Sequence, residues 1–385
     1  MESGAAPEVG LALAQRELGR IVGARAGPTL VAIAGVHGNE RAGVEAARRV
    51  LAGIDETSIE LCGELVVLAG NLASLRRGVR YQFKDLNRVW TESRLLELAN
   101  EPAAARDAED NEQLELVSAI EAARARARGP LHLADLHTTS AAGIPFVLFG
   151  DTLAQRDFVQ VFPIPILFGL EEQIDGAITT FWTRRGFNTF AVEGGQHLDP
   201  TTVESLEAVL WLTLARAGLI DKGRPEVLQG RTLLEQRRAG APRVAEVIAR
   251  RAITPEDQFR MAPGFRNIDA ARKGQLLAHD KSGELRAPSD GLVIMPLYQG
   301  LGGDGFFWGR EVSPLRLKIS GALRNRGLER LLALLPGVAR DPDSPSRFLV
   351  NTRVARLYPL EVFHLLGYRR LRKQGHQLTV ERSEG

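Results

Sequence analysis

The chain has 385 residues, of which 44% are hydrophobic and 25% charged, and its net charge is +2. That is the composition of an ordinary globular protein, long enough for one large domain plus a smaller one, and so small a charge argues against a nucleic-acid binder held by phosphate contacts. Cys62 is the only cysteine, so an intrachain disulfide and a cysteine-based zinc ribbon are excluded and any metal must be held by histidines and carboxylates.

At the start, MESGAAPEVG lacks the basic residues and apolar run of a secretory signal. GPTLVAIAGV (27–36) reads as a strand, residues 40–51 as a helix and 63–70 as a strand. A polar loop through YQFKDLNR leads to a helix within 109–127. Residues 131–137, 144–150 and 188–195 read as strands, and 203–218 has apolar residues at helical spacing. The longest apolar run, AVLWLTLA from Ala208, is too short to span a bilayer. A cytoplasmic protein without membrane or nucleic-acid partners is the expectation, with homo-oligomerisation left open.

Strands alternating with helices predict an α/β fold with a mostly parallel or mixed sheet and helices on both faces. After about residue 225 the chain changes to short strand candidates cut by Gly, Pro and Asp-Gly turns, which predicts a smaller β-rich domain. Helix-like pieces at 328–337 and 359–373 predict a short helical tail. The expected division is 1–225, 226–320 and 321–385.

Ligands of an open parallel sheet bind beyond the carboxyl ends of its strands. The polar residues at those ends are His37 and Glu40 after the first strand, Asn71 after the second, His137 after LHLAD, and Glu193 in NTFAVEGG. Two histidines and a glutamate suit a catalytic zinc, which takes three protein ligands and keeps a position for water. His37-x-x-Glu40 supplies two of them across one turn, and His137 is the best candidate for the third. The bland alternative is that His37 caps a helix and His137 is a satisfied buried histidine. Glu193 follows an apolar run, so its charge faces either the ligand edge of the sheet or a costly burial.

GVHGNE, DLNR at 85–88, LHTTS with His137 and VEGG with Glu193 come in one order. In that order they resemble the succinylglutamate desuccinylase and aspartoacylase family, a branch of the zinc carboxypeptidase-like hydrolases. The likeness runs from about residue 30 to 195, and the β-rich stretch to about 315 is similar to the family's second domain. The resemblance implies one Zn2+ per chain on His37, Glu40 and His137, with Glu193 as general base and then acid. It implies that Arg80 polarises the scissile carbonyl, that Asn87 and Arg88 grip a substrate carboxylate, and that Asp85 orients a ligating histidine. Arg184 matches an arginine that helps to bind an acidic substrate, in a register uncertain by one residue. The physical roles agree, since arginine presents a planar bidentate donor to a carboxylate and a fixed cation to an oxyanion. Any one arginine in an Arg-rich chain could equally belong to a solvated loop.

Where aspartoacylases contribute a tyrosine from the second domain, this chain has Phe306, Phe307 and Trp308, with Tyr298 upstream and out of register. Their presence suggests a more apolar or bulkier acyl pocket, or simply packing of the β domain. His197, four residues after Glu193, is expected either to reach the site or, equally, to sit in a helix-start loop without a chemical role; His132 alternates with the inward residues of its strand and is expected to be structural, and Cys62 is expected to be a small packed hydrophobe. The reading is a zinc-dependent deacylase of N-acyl amino acids or similar small carboxylate-bearing amides. The alternatives are a metallocarboxypeptidase acting on peptides and a non-catalytic small-molecule binding protein on the same scaffold. A dehydrogenase is disfavoured, because the first strand–helix turn lacks G-x-G-x-x-G.

Overall fold

Leu30, Ala32 and Ala34 point to one side of a strand and Val31 and Ile33 to the other, and all five are fully buried. A strand apolar on both faces belongs inside a parallel sheet covered by helices on each side. The computed structural model describes residues 15–57, 59–326, 332–342, 344–354 and 360–382, and it places this strand there. In chain order come β1 (Glu17–Val22), β2 (Arg25–Ala34), α1 (Ala42–Glu56), β3 (Cys62–Ala69), α2 (Leu72–Arg77), α3 (Glu92–Asn100), α4 (Ala108–Arg126) and β4 (Leu131–Thr139). Next are β5 (Phe146–Leu148), α5 (Leu153–Val159), β6 (Ile166–Phe168), α6 (Ile178–Thr183), β7 (Asn188–Gln196), α7 (Pro200–Ala217) and α8 (Pro225–Arg237).

β3, β2, β4 and β7 are neighbours in parallel, with β1 antiparallel on the outer edge. One face is covered by α1 and α7, with Val44, Val50, Leu206 and Trp211 in its core. The other is covered by α4 and α6, with Leu116, Ile120, Phe181 and Trp182. This is the expected α/β arrangement, and the sheet is mixed.

The same sheet continues past residue 225. β5 pairs antiparallel with β7, β6 follows, and β8 (Val244–Ala252) joins β6 in parallel. β9 (Arg260–Met261), β10 (Asp269–Ala271), β11 (Leu276–Asp280), β12 (Gly283–Arg286), β13 (Gly291–Ile294) and β14 (Asp304–Glu311) make up the β-rich part. β14, β13 and β10 extend the large sheet to eleven strands, while β12, β11 and β9 form a three-stranded sheet beside it. Side chains alternate across β14, so Phe307 packs with Phe146 and Leu148 of the main fold, whereas Phe306 and Trp308 pack with Met261 and Leu277 of the small sheet. Cys62, at the start of β3, is only partly buried.

The helical tail expected from the sequence is corrected. After α9 (Pro314–Asn325), β15 (Val338–Asp341), β16 (Ser344–Asn351), β17 (Tyr368–Gln374) and β18 (Gln377–Arg382) form a four-stranded antiparallel sheet, and among the described residues α10 (Leu360–Leu365) is the one α-helix after α9. Within the expected piece 359–373, Leu360–Leu365 is a helix, but Gly367 at φ +87 follows it and Tyr368 starts a strand. Of the two expected helical pieces, residues 328–331 and 359 lie outside the described residues.

This tail sheet is fastened to the main fold by buried charge. Asp151, fully buried, pairs with Arg156 of α5, with Arg324 of α9 at 2.8 Å and with Arg369 of β17. Burial works against the Asp151 anion, but Arg369, Arg324 and Arg156 together hold its carboxyl far below the usual carboxylate range. Asp151 sits at φ +63, a conformation that asparagine also tolerates. Asp151→Asn therefore removes the charge without straining the backbone. It is expected to cost about 3–5 kcal/mol, read as a lower urea midpoint; an unchanged midpoint would show that the cluster does not hold the tail.

Candidate active site

The turn between β2 and α1, residues 35–41, needs glycine for its shape. Gly35 lies at φ +75, and Gly38 passes so close to Ser74 that any Cβ there would run into that residue's backbone. The Gly38 N–H donates to the Arg80 carbonyl at 3.1 Å, tying the turn to the polar loop. Two side chains leave this turn together, with His37 Nδ1 2.8 Å from Glu40 Oε1. Near the end of β4, His137 brings its own Nδ1 to 3.1 Å from Glu40 Oε2. All three residues are buried, and one ligand atom from each lies within 4.8 Å of the others.

The far nitrogen of each imidazole meets an aspartate. His37 Nε2 is 3.0 Å from Asp85 Oδ1, and His137 Nε2 is 2.6 Å from Asp135 Oδ2. Ionised carboxylates only accept, so each imidazole has an acceptor at both nitrogens, and where the aspartates take the Nε2 hydrogens the Nδ1 lone pairs face Glu40. Lone pairs facing a carboxylate repel unless a cation or protons lie between them. Burial opposes the Glu40 anion, yet His37 and His137 hold its carboxyl well below the ordinary range. Against the same burial, Asp135 and Glu40 lift His137 well above the ordinary imidazole value. Two imidazole nitrogens and one carboxylate, with both histidines oriented by aspartates, fit a divalent zinc ion. His37, Glu40 and His137 could hold one.

Glu193 stands opposite His137 in the parallel register of β4 and β7. Its Oε2 is buried without a hydrogen-bond partner. Burial pushes the carboxyl up to about 8; His137 and Arg80 pull against this, while Glu40 and Asp135 add to it. Arg80 donates to Asp85 Oδ2 at 3.0 Å and lies 3.6 Å from Glu40 Oε1. Burial disfavours its charge, but Asp85 and Glu40 outweigh that and raise its pKa. Asp85 thus orients His37 and Arg80 with one carboxylate, and burial notwithstanding, these two keep it well below the usual range.

Asn87 and Arg88 follow on the 3-10 turn Leu86–Arg88, which Asp85 caps by accepting from the Asn87 N–H at 2.9 Å. Asn87 spans from the start of α6, where its Oδ1 accepts from the Ile178 N–H at 2.9 Å, towards His137. Arg88 reaches across to Asp304 on β14 at 2.7 Å. His37, Glu40, Arg80, Asn87, Arg88, His137 and Glu193 all border one cavity of about 150 Å³. Its roof comes from the β-rich part, through residues such as Met295, Leu297, Gln299 and Phe307.

Arg184 is corrected. It follows the last turn of α6, does not line the cavity, and its largely exposed side chain pairs with Glu381 at 3.3 Å. Arg185 is no substitute, since it stacks on Phe181 at 3.7 Å and pairs with Glu92. The α6 residues that do face the cavity are the neutral Thr179, Thr180 and Thr183. Tyr298 is also absent from the lining, its hydroxyl being spent on the Ala262 carbonyl and the Phe265 N–H. His132 packs on Phe158, with ring centroids 4.8 Å apart, away from the site.

Asp135, Asp304 and Gln299 escaped the sequence reading, whereas His197, one of whose two expected places was the site, does line the cavity. Asp135, two residues before His137, had a signal, because strand period puts both on one face and an aspartate in an apolar strand needs a buried partner. His197 lines the cavity and joins two halves of the fold, with Nδ1 2.6 Å from the Thr138 hydroxyl and Nε2 3.1 Å from Gln299 Oε1. Burial lowers its pKa and favours the neutral ring. Asp304 and Gln299 come from so far along the chain that no spacing rule could have placed them here.

Residues 26–212 match the model of the succinylglutamate desuccinylase/aspartoacylase catalytic domain. Succinylglutamate desuccinylase of Chromobacterium violaceum is 39% identical over 117 residues, 30% of this chain and 32% of that protein. The enzyme of that name from Burkholderia pseudomallei strain 1710b is 37% identical over 112 residues, 29% of this chain and 31% of that protein. The chain therefore covers about a third of the length of these curated relatives. Among solved structures, the product-bound ectoine utilization protein EutE (DoeB) of Ruegeria pomeroyi superposes with a TM-score of 0.56 at 18% identity, covering 76% of this chain and 87% of that one. The C. violaceum desuccinylase gives a TM-score of 0.52, also at 18% identity, covering 75% and 86%. At such identities the structural likeness speaks for the fold alone. Among the described residues, no helix is long and apolar enough to cross a membrane.

The geometry of the triad makes a direct prediction. Zinc titrated into metal-free protein is expected to bind at one equivalent per chain, and His137→Ala is expected to abolish that binding. Asp135→Asn, which loosens the orientation of His137, is expected to weaken it by about 10–100-fold, measured by competition with a chromogenic chelator. Unchanged affinity in both variants would remove the triad as a metal site.

Proposed function

The chain belongs to the succinylglutamate desuccinylase/aspartoacylase family, and from that premise we propose that it is a zinc-dependent amidohydrolase that removes the acyl group from an N-acyl amino acid or a similar small carboxylate-bearing amide. What carries this reading is a three-donor metal triad, with its histidines backed by aspartates, beside a buried carboxylate that has an unpartnered oxygen. A cavity of about 150 Å³ under a roof of β-rich residues favours a small molecule over a polypeptide.

His37, Glu40 and His137 hold the metal, and a zinc ion there supplies Lewis-acid polarisation and lowers the pKa of water towards about 7. Glu193 takes a proton from the attacking water through the oxygen that no protein group occupies. The water oxygen bonds to the amide carbon, and Arg80 donates to the carbonyl oxygen as charge develops on it. Glu193 then returns the proton to the nitrogen as the C–N bond breaks, releasing a carboxylate and an amine. Arg88 holds the substrate's free carboxylate, exchanging part of its pairing with Asp304 for the ligand. Asn87 fixes the loop that presents Arg88 by accepting from the Ile178 N–H. Asp85 and Asp135 set the ring orientation of the two histidines.

Two outcomes test this assignment on a panel of N-acyl amino acids. Glu193→Gln should retain its zinc, by metal analysis, while amine release falls by about 10²–10⁴-fold; near wild-type turnover would rule Glu193 out as the base. Arg88→Ala should raise KM for carboxylate-bearing substrates by about 10-fold or more with a smaller change in kcat. An unaltered KM would place the substrate carboxylate elsewhere.

A further inference from the structure

Arg369 of the tail sheet stands behind one wall of the cavity. From the metal triad the cavity runs along β7, past Glu193 to Thr189. At that inner end it is bounded by Phe149 and Gly150 after β5, and by Leu170 and Glu171 in the 3-10 turn Leu170–Glu172 after β6. Arg369, on β17, does not line the cavity but reaches both of these segments. Its guanidinium pairs with Asp151, the residue after Gly150, and with Glu172 at 3.1 Å, while its Nε faces Glu171 Oε1 at 4.0 Å. It also pairs with Glu246 of β8 at 3.2 Å and lies over the Phe168 ring at the end of β6, 4.9 Å from the centroid.

Other cations of this cluster serve one segment at a time. Arg156 and Arg324 pair with Asp151, Arg310 pairs with Glu246 at 2.7 Å, and His364 stands 3.2 Å from Glu172. Arg369 is the group shared between the loop after β5 and the turn after β6. Its charge matters most to Glu171, whose Oε2 accepts from the Gly169 N–H at 3.1 Å but whose Oε1 is buried without a hydrogen-bond partner. Burial pushes the Glu171 carboxyl up to about 7; Arg369 pulls against this, while Glu172 and Asp151 add to it. Three carboxylates from two segments thus converge on one guanidinium. Without it, like charges would face one another across the gap, and the two segments would move apart.

We propose that Arg369 is a positioning residue, and the tail sheet through it a working part of the active site: its guanidinium holds the loop after β5 and the turn after β6 at a fixed spacing, and so sets the inner wall of the cavity. The role in the reaction rests on the deacylase reading, whereas the hold on the wall does not depend on it. Arg369 touches no reacting group. It acts on substrate only through the backbone that Asp151, Glu171 and Glu172 carry with them.

Hydrogen–deuterium exchange and zinc titration on the full chain read this hold without a substrate. The amides of Gly169, Glu172, Gln173 and Ile174 are hydrogen-bonded within the turn. In Arg369→Met they are expected to exchange about 10-fold or more faster than in the wild type, while zinc affinity and the protection of β4 stay as they were. Glu172→Gln weakens the same pairing from the main fold and leaves the tail's own side chains alone. It is expected to show the same pattern, and it decides the matter if Arg369→Met does not fold. Unchanged exchange at 169–174, or faster exchange that spreads to β4 with loss of zinc affinity, would overturn the proposal. On the N-acyl panel, KM is expected to rise by about 10-fold or more with a smaller change in kcat; a loosened wall with KM unmoved would overturn the role in the reaction. A wall that loosens in a protein releasing no amine from any substrate sinks the deacylase reading and leaves the hold of Arg369 standing. Amine release with exchange and KM both unmoved does the reverse.

Discussion

Glu40 is a carboxylate with almost no contact with water, wedged between two imidazoles and an arginine, and the catalytic half of the molecule is arranged around the charge it carries. A buried anion is tolerable only with close opposite charge and full hydrogen bonding. Here the Thr138 N–H supplies a donor at 2.8 Å, both imidazoles face the carboxylate through Nδ1, and each histidine is oriented from behind by its own aspartate. Asp85 extends the same logic outward to Arg80, and Asp304 does so for Arg88. Charge alternates outward from Glu40, through rings and guanidinium groups to aspartates drawn from several strands and loops.

Such an arrangement requires the ends of β2, β4 and β7 to be brought level, and the sheet does this by register. Ala34 pairs with Leu136, and His137 with Glu193, so the turn after β2 meets both later strands at one edge. This is why so much of the site could be read from residues at predicted strand ends. His37, Glu40, His137 and Glu193 each follow or close an apolar run, and apolar runs in a parallel sheet are the most legible elements in a sequence. The loop carrying Arg80, Asp85, Asn87 and Arg88 was legible only through its motif, since its shape is set by the cap at Asp85 and by a crossing with the turn at Gly38.

Other features were hidden for physical reasons. Arg184 lies one turn-residue beyond a short helix, and helical rotation of about 100° per residue turns it to the surface while Thr183 faces inward. The tail has leucines at spacings that suit a helix, yet Gly367 redirects the chain, and its strands are held by pairing with partners that no local pattern reveals. Phe306, Phe307 and Trp308 are adjacent in sequence but serve two separate cores, because a strand sends neighbours to opposite faces. Asp304, Gln299 and Glu171 reach the cavity only through tertiary folding.

The eleven-stranded sheet runs without a break beneath the cavity and into its roof. β8 is hydrogen-bonded to β6 on one side and to β14 on the other, so floor and roof share one ladder. A hinge between the two halves would have to tear backbone pairing, which is far harder than bending a linker. The passage for ligand lies at the rim, where Leu297 and Gln299 of the 295–303 loop border the cavity. The pairing makes floor and roof one rigid vessel, not a pair of closing jaws.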